Sequence, residues 1–149
     1  MAQDKVSVID LNGALYSTNY AKSQLEALKN NAEYKSLTEQ IKSLRKTLDA
    51  LQKEGQTKSL TWSDEQKKQQ VQKIQAKVGE LNQAGNQREK LKADTEKRIN
   101  QELGPKIEQV VNQILEEKGI GLLLNSQAVY HRTPAFDITT EVIERLNKK

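Results

Sequence analysis

Residues 34–51, YKSLTEQIKSLRKTLDAL, decide the fold of this 149-residue chain. Their apolar residues alternate steps of three and four, at Tyr34, Leu37, Ile41, Leu44, Leu48 and Leu51. This spacing is typical of a coiled-coil seam, a narrow apolar stripe that faces a second helix. The seam therefore predicts a helix, from about residue 19 to residue 54, that requires a helical partner.

The partner helix follows after an interruption of the pattern. Gly55 and three hydroxyl residues between 57 and 61 break the period and predict a turn near Ser59. Ser63 then starts a second helix, because Ser63 and Gln66 have the spacing of a capping box. The apolar residues of this helix repeat the seam spacing, at Val71, Ile74, Val78 and Leu81. We expect an antiparallel helical hairpin.

The two seams also predict a register. Facing residues of an antiparallel hairpin have nearly constant number sums, and sums of 118 or 119 pair Leu37 with Leu81, Ile41 with Val78, Leu44 with Ile74 and Leu48 with Val71. The same register places Leu28 opposite Leu91. Tyr34 then lies opposite Ala84 and Gly85, where a bulky ring fits against small residues.

The ends of the chain have a different character from the hairpin. Residues 5–11, KVSVIDL, predict a strand, and residues 14–16 a short helical turn. Gly104-Pro105 is expected to bend or restart the second helix, which ends at Gly119 as a C-cap. Residues 120–124 and 128–131 predict two more strands. A final helix begins near Asp137, with Asp137 or Thr139 as its cap.

These elements indicate an α+β fold that is mostly helical. Residues 1–18 and 104–149 form a discontinuous β-body of three short strands per chain, and residues 19–103 form a hairpin arm with its tip near 55–62. Such a small sheet is unstable alone, so we expect several copies to pool their strands. The residues predicted for this oligomerisation body are Val6, Val8, Ile9, Leu122, Leu123, Leu124 and Val129.

Composition limits the function. Only 35% of the residues are hydrophobic and 30% are charged, which favours exposed helices over a deep core. The chain has no cysteine, so it has no disulfide or thiol nucleophile, and no apolar stretch approaches the length of a membrane span. His131 is the single histidine and has no partners at catalytic or ligand spacing, so we interpret it as a surface residue. We expect no enzyme activity, no cofactor and no metal.

The positive charge lies on the predicted arm. Residues 20–103 contain 17 Lys and Arg against 12 Asp and Glu, whereas the remainder has 7 against 8. This excess favours acidic partners and predicts capture that weakens with salt. Trp62 is the one aromatic residue near the tip, and the candidates there for contact with a client or a membrane are Lys53, Lys58, Trp62, Lys67 and Lys68. A solvated tip whose Trp62 covers the end of the seam is the simpler alternative.

The two ends of the chain resemble the Skp/OmpH family of periplasmic chaperones for outer-membrane proteins. The resemblance lies in the opening segment KVSVIDLNGALYST and the closing segment GIGLLLNSQAVYHRTPAFDITTEVIERLNK, where the matching stretches cover about Val6–Tyr16 and Gly119–Leu146. The most specific parts are DITTEVI at Asp137–Ile143 and AVY at Ala128–Tyr130. The resemblance implies a homotrimer whose three arms enclose a cavity for unfolded β-barrel precursors, without ATP. It also implies a periplasmic location, a signal peptide on the precursor that the mature chain lacks, and contact with anionic lipid or lipopolysaccharide in some members.

Two alternatives stay open on the sequence alone. The first is a coiled-coil scaffold that binds one folded partner through the arm. The second is a basic nucleic-acid-binding protein, favoured by a pI of 9.2 but disfavoured by few aromatic residues and only 5 Arg against 19 Lys. We therefore expect no nucleic-acid partner. Binding of unfolded rather than folded polypeptide separates the chaperone from the scaffold.

Overall fold

The computed structural model describes residues 4–148, which are mostly helical. Residues 1–3, at the start of the predicted body segment 1–18, and residue 149 lie outside the described part. The elements, in chain order, are β1 (Lys5–Ile9), α1 (Leu11–Tyr16), α2 (Asn19–Asn30), α3 (Ala32–Lys58), α4 (Asp64–Lys118), β2 (Ile120–Asn125) and α5 (Thr139–Asn147). They divide into two compact units: the described residues through Ala27 and from Thr95 onward, and Leu28–Asp94.

The sheet of the first unit has two parallel strands. β1 pairs with β2 so that Val6 lies opposite Leu122, with an irregularity between Lys5 and Val6. On the other side of β1, Asp137 forms an isolated parallel bridge with Val8. The described part of the chain thus contains two strands, and the three predicted strands per chain are wrong in number.

The missing strand is the one predicted at residues 128–131. Ser126–Ala128 form a 3-10 turn instead, and the backbone from Val129 to Thr133 is irregular. Tyr130 is fully exposed there. A strand requires hydrogen bonds to a neighbouring strand, and the described backbone places only β2 and the Asp137 bridge beside β1.

The core of the first unit is a single apolar cluster. The long helix α4 contributes the largest share, six of the fourteen buried residues, and β1, β2, α1, α2 and α5 supply residues that pack against it. The members with no exposed surface are Ala14, Ala21, Ile99, Val110, Ile114 and Val142. Gly119 ends α4 with a φ of 66°, a left-handed conformation that glycine adopts without strain, as predicted.

Helix α4 continues without interruption through Gly104-Pro105, so the predicted restart there is wrong. Proline removes one backbone N–H from the helical ladder and crowds the preceding turn. However, Leu103 and Ile107 on either side of it are both buried in the same cluster. Packing of these side chains holds the two halves of the helix on one face, which outweighs the local cost of the proline.

The helices predicted for the arm also differ from the predicted bounds. The predicted helix over residues 19–54 is two helices, because Asn31 is extended and its side-chain oxygen accepts a hydrogen bond from the Tyr34 N–H at 2.9 Å. Helix α3 passes through Gly55 and ends at Lys58, so the turn is confined to residues 59–63. The capping box is confirmed: Gln66 N–H donates to Ser63 Oγ at 3.2 Å, and Ser63 N–H donates to Gln66 Oε1 at 2.9 Å.

Candidate functional site

The second unit, Leu28–Asp94, is called the hairpin unit below, and its apolar seam is thin. Leu37, Ile41 and Leu44 of α3 are buried, together with the small Ala84 of α4. Leu81 and Leu91 pack against the cluster that Leu37, Ile41 and Ala84 form. The other predicted seam residues are half-buried or exposed: Leu28, Tyr34, Leu48 and Ile74 are half-buried, whereas Val71 and Val78 are 53% and 40% exposed.

The register of the hairpin is offset from the predicted one. The Gln70 side chain donates to the Leu51 carbonyl, and Arg88 donates to the Tyr34 hydroxyl, so the number sums are 121 and 122 rather than 118 or 119. The turn is centred on residue 61 instead of Ser59, which accounts for this offset. Each α3 residue of the seam therefore faces an α4 residue about three positions farther along the chain than predicted.

A groove opens on one side of this seam. Its volume is about 620 Å³, and its apolar lining comes from Tyr34, Ile41 and Leu81, with Gly85 between them. Arg88 crosses the hairpin there: its Nη2 lies 3.3 Å from the Tyr34 hydroxyl, and its Cζ lies 5.1 Å from the Tyr34 ring centroid. This cation–π contact holds the guanidinium at the groove. The sequence pattern alone does not reveal the groove, because its lining depends on the register of the hairpin.

Charge is the second feature of the hairpin unit. Leu28–Asp94 contains 14 Lys and Arg against 9 Asp and Glu, a net charge of +5, whereas the whole chain has +4. The ion pairs described within this unit are solvent-exposed, as between Lys53 and Asp49 at 2.9 Å. Exposed pairs of this kind contribute little to stability. The excess positive charge therefore faces solvent.

The tip of the hairpin combines cations with apolar surface. Lys53 donates to Asp49, a hydrogen bond that raises the pKa of Lys53, and Lys58 lies 3.8 Å from Glu54. Within residues 4–148, Lys67 and Lys68 make no ion pair, and Trp62 is half-buried. Leu60 is 98% exposed, and sequence analysis missed it because it lies in the turn, outside the seam spacing.

The predicted oligomerisation residues divide by exposure. Val8 and Ile9 are buried within the chain itself, and Leu123, Leu124 and Val129 are half-buried. Val6 and Leu122, which face each other across β1 and β2, are 40% and 51% exposed. Phe136 is 50% exposed and lines an open pocket with Val6. Unlike Val6, Phe136 was not among the predicted residues.

A charged network fastens α5 to the end of α4. Arg145 Nη2 lies 2.6 Å from Glu117 and 2.7 Å from Glu141, and Lys118 also contacts Glu141. The hydrogen bond from Arg145 lowers the pKa of Glu117, and hydrogen bonds from Lys118 and Arg145 lower that of Glu141. These ion pairs join α5 to the end of α4.

The N-cap residue of α5 is Ile138, which makes no side-chain capping hydrogen bond, so the predicted cap at Asp137 or Thr139 is wrong. Asp137 precedes this cap and binds the first residue of the helix. Its burial raises the pKa, but hydrogen bonds from the Thr139 hydroxyl and backbone N–H and from Arg132 outweigh that effect and lower it. His131 is exposed nearby. Among residues 4–148, no cluster of three or more His, Cys, Asp or Glu side chains could hold a metal ion. No helix in this range is both long and apolar enough to cross a membrane.

Comparison with known proteins agrees with this architecture. The model of a family described as outer membrane protein (OmpH-like) matches residues 5–146. A Skp-like protein of Pseudomonas aeruginosa is 26% identical over 154 residues, which cover 99% of this chain and 86% of the relative. The crystal structure of a candidate outer membrane chaperone (OmpH-like) from Caulobacter crescentus has a TM-score of 0.57 at 24% identity, covering 96% of this chain and 83% of that one. The latter likeness shows a shared fold.

Proposed function

This chain belongs to the OmpH-like outer membrane protein family, and from that membership we propose that it is an ATP-independent holdase chaperone. Its clients are unfolded precursors of outer-membrane β-barrel proteins, which it keeps from aggregating in the periplasm. The observation that carries this proposal is the family match over residues 5–146. Membership in this chaperone family also bears out the prediction that the protein is not an enzyme.

The surface of the hairpin unit supports a holdase. Its net charge of +5 is spread over exposed side chains, and its own apolar seam is thin. Long-range attraction would raise the rate at which acidic unfolded chains meet the arm. Many weak contacts would then hold a client without imposing one bound conformation. The activity is therefore a property of the arm surface rather than of a single residue.

The body supports assembly into a homotrimer. A two-stranded sheet is marginal by itself, and Val6, Leu122 and Phe136 leave apolar surface uncovered beside it. Three copies that pool their strands would bury this surface. In this arrangement the segments 1–18 and 104–149 form the shared body, and three arms over residues 19–103 enclose the client.

The test is a client-aggregation assay without nucleotide. An outer-membrane porin is diluted from urea, and its turbidity is recorded with and without the full-length chain. We expect the porin to stay soluble when three or more chains are present per client. A soluble protein of similar size, unfolded in urea and then refolded, serves as the control and is expected not to bind. Precipitation of the porin would contradict the holdase, and binding of the folded control would favour a scaffold.

A further inference from the structure

We propose that the groove at Gly85 binds an acidic segment of an unfolded polypeptide, in which a carboxylate lies next to an apolar or aromatic side chain. This inference rests on the proposed holdase function and locates one of its contact sites. The groove lies wholly within the hairpin unit, between α3 and α4.

Gly85 lines the groove without adding a side chain to it. Glycine is unfavourable in the middle of a helix, so a glycine there usually allows another element to approach closely. At Gly85, however, a Cβ atom would meet no heavy atom within 4 Å. The position of Gly85 is therefore open, and a longer side chain there has room to extend into the groove that Gly85 lines with Tyr34, Ile41 and Leu81.

The rim of the groove determines the charge of its ligand. Arg45, Arg88 and Lys92 line it, against the single carboxylate of Glu89. Arg88 is positioned by Tyr34 and has five N–H donors, only one of which donates to the Tyr34 hydroxyl. A guanidinium held in this way binds carboxylates through charge-assisted, often bidentate hydrogen bonds.

Two further features favour a polypeptide over a lipid headgroup. The Tyr34, Ile41 and Leu81 side chains offer an apolar surface for an adjacent aromatic or aliphatic residue. Asn82 and Asn86, one helical turn apart on α4, line the same groove. Their amides both donate and accept hydrogen bonds, as the N–H and C=O groups of an extended peptide require.

The first experiment measures peptide affinity with the full-length chain. The probe is a fluorescent decapeptide that alternates Asp and Tyr, compared with one that alternates Lys and Tyr. Gly85→Leu fills the groove, and Gly79→Leu is the matched control, because Gly79 lies on the same helix, is equally open, and does not line the groove. We expect Gly85→Leu to weaken binding about tenfold and Gly79→Leu to leave it unchanged. The Lys peptide should bind about tenfold more weakly than the Asp peptide.

Three results would overturn the inference. Equal affinities of wild type and Gly85→Leu would exclude the groove as the binding site, and equal losses of affinity in Gly85→Leu and Gly79→Leu would show a general effect on the helix. Binding of anionic phosphatidylglycerol vesicles, but not of the Asp peptide, would assign the groove to lipid. The holdase proposal is judged separately, by whether the wild-type chain keeps a porin soluble.

A cross-linking experiment tests the same site without filling it. Because the chain has no cysteine, Asn82→Cys introduces a unique attachment point for a photo-activated cross-linker at the groove. Gln75→Cys is the control, exposed and two helical turns away on the same face. We expect the Asp peptide to link to position 82 and not to position 75. Equal linking at both positions would contradict a defined site.

Discussion

The side-chain amide of Gln70 on α4 donates a hydrogen bond of 2.9 Å to the backbone carbonyl of Leu51 on α3. Gln70 is 9% exposed, a high degree of burial for a polar residue in an arm with such a thin core. This contact joins the helices near the turn and agrees with the register set farther away by Tyr34 and Arg88. The hairpin register is therefore fixed at both ends of the seam.

The register predicts which cysteine pairs form a disulfide. With number sums near 122, Leu48 faces Ile74, whereas the pattern of apolar residues alone pairs Leu48 with Val71. We expect the double variant Leu48→Cys/Ile74→Cys to oxidise more readily than a pair in the other register, because a disulfide needs Cα atoms about 4.4–6.8 Å apart and facing residues of the seam approach each other most closely. Leu48→Cys/Val71→Cys is the control and should oxidise more slowly. Mobility of the non-reduced chains in denaturing gels, with intact mass, gives the yield. Faster oxidation of the control would restore the other register.

Burial predicts that truncating a core residue of the body lowers the free energy of unfolding more than truncating an exposed residue of the hairpin seam. Ile114 has no exposed surface, so Ile114→Ala should lower the free energy of unfolding by about 2–5 kcal/mol. Val71 is 53% exposed, and Val71→Ala should change it by less than about 0.5 kcal/mol. Urea unfolding at one protein concentration measures both. A loss at Val71 as large as at Ile114 would show that Val71 is buried in the protein in solution.

The network around Arg145 predicts a pH dependence. The pKa values of Glu117 and Glu141 are lowered in the folded protein, so their contribution to stability is complete above the unfolded value near 4.5 and is lost as the pH falls through the folded values. Arg145→Met should therefore destabilise the protein at pH 7, and the difference from wild type should shrink below about pH 5. Thermal unfolding from pH 7 to pH 3 measures this.

The control for the pH series is Lys53→Met. It breaks an ion pair whose side chains are 71% and 62% exposed, and such pairs contribute little. We expect its unfolding temperature to follow that of wild type over the whole range. A constant difference between Arg145→Met and wild type at every pH would contradict the electrostatic role of the network.

The charge of the arm predicts salt-dependent capture. Because the +5 charge of Leu28–Asp94 faces solvent, the association rate with an acidic unfolded porin should fall as the Debye length shortens from about 30 Å at 0.01 M to about 8 Å at 0.15 M salt. Stopped-flow fluorescence of a labelled porin gives this rate. Equal rates at both concentrations would show that electrostatic steering by the arm is absent.

Local signals were predictable from the sequence. Ser63 and Gln66 form their capping box, and Gly119 ends α4, because each signal depends on residues within one or two turns. Gly55 suggested an end of the first helix that is too early, since a glycine in a helix costs only about 1 kcal/mol and a long seam tolerates it. The turn is therefore centred on residue 61 rather than Ser59, and facing residues have number sums of 121 and 122 rather than 118 or 119.

Features that depend on distant residues were not predictable. A strand at residues 128–131 would need a neighbouring strand, and the described part of the chain places none there. The Gly85 groove depends on which α3 residues lie opposite it, so the offset in the register conceals it. Leu60 and Phe136 are exposed apolar residues outside any periodic pattern, and only the folded backbone reveals their exposure.

Light scattering gives the native mass of the protein, alone and after mixing with a urea-diluted outer-membrane porin, and so tests assembly and client capture together. We expect a mass near three chains that rises by one client while the porin stays in solution. A trimer beside a precipitated porin would contradict the chaperone function and favour a scaffold. A monomer that binds no porin would contradict both the assembly and the function.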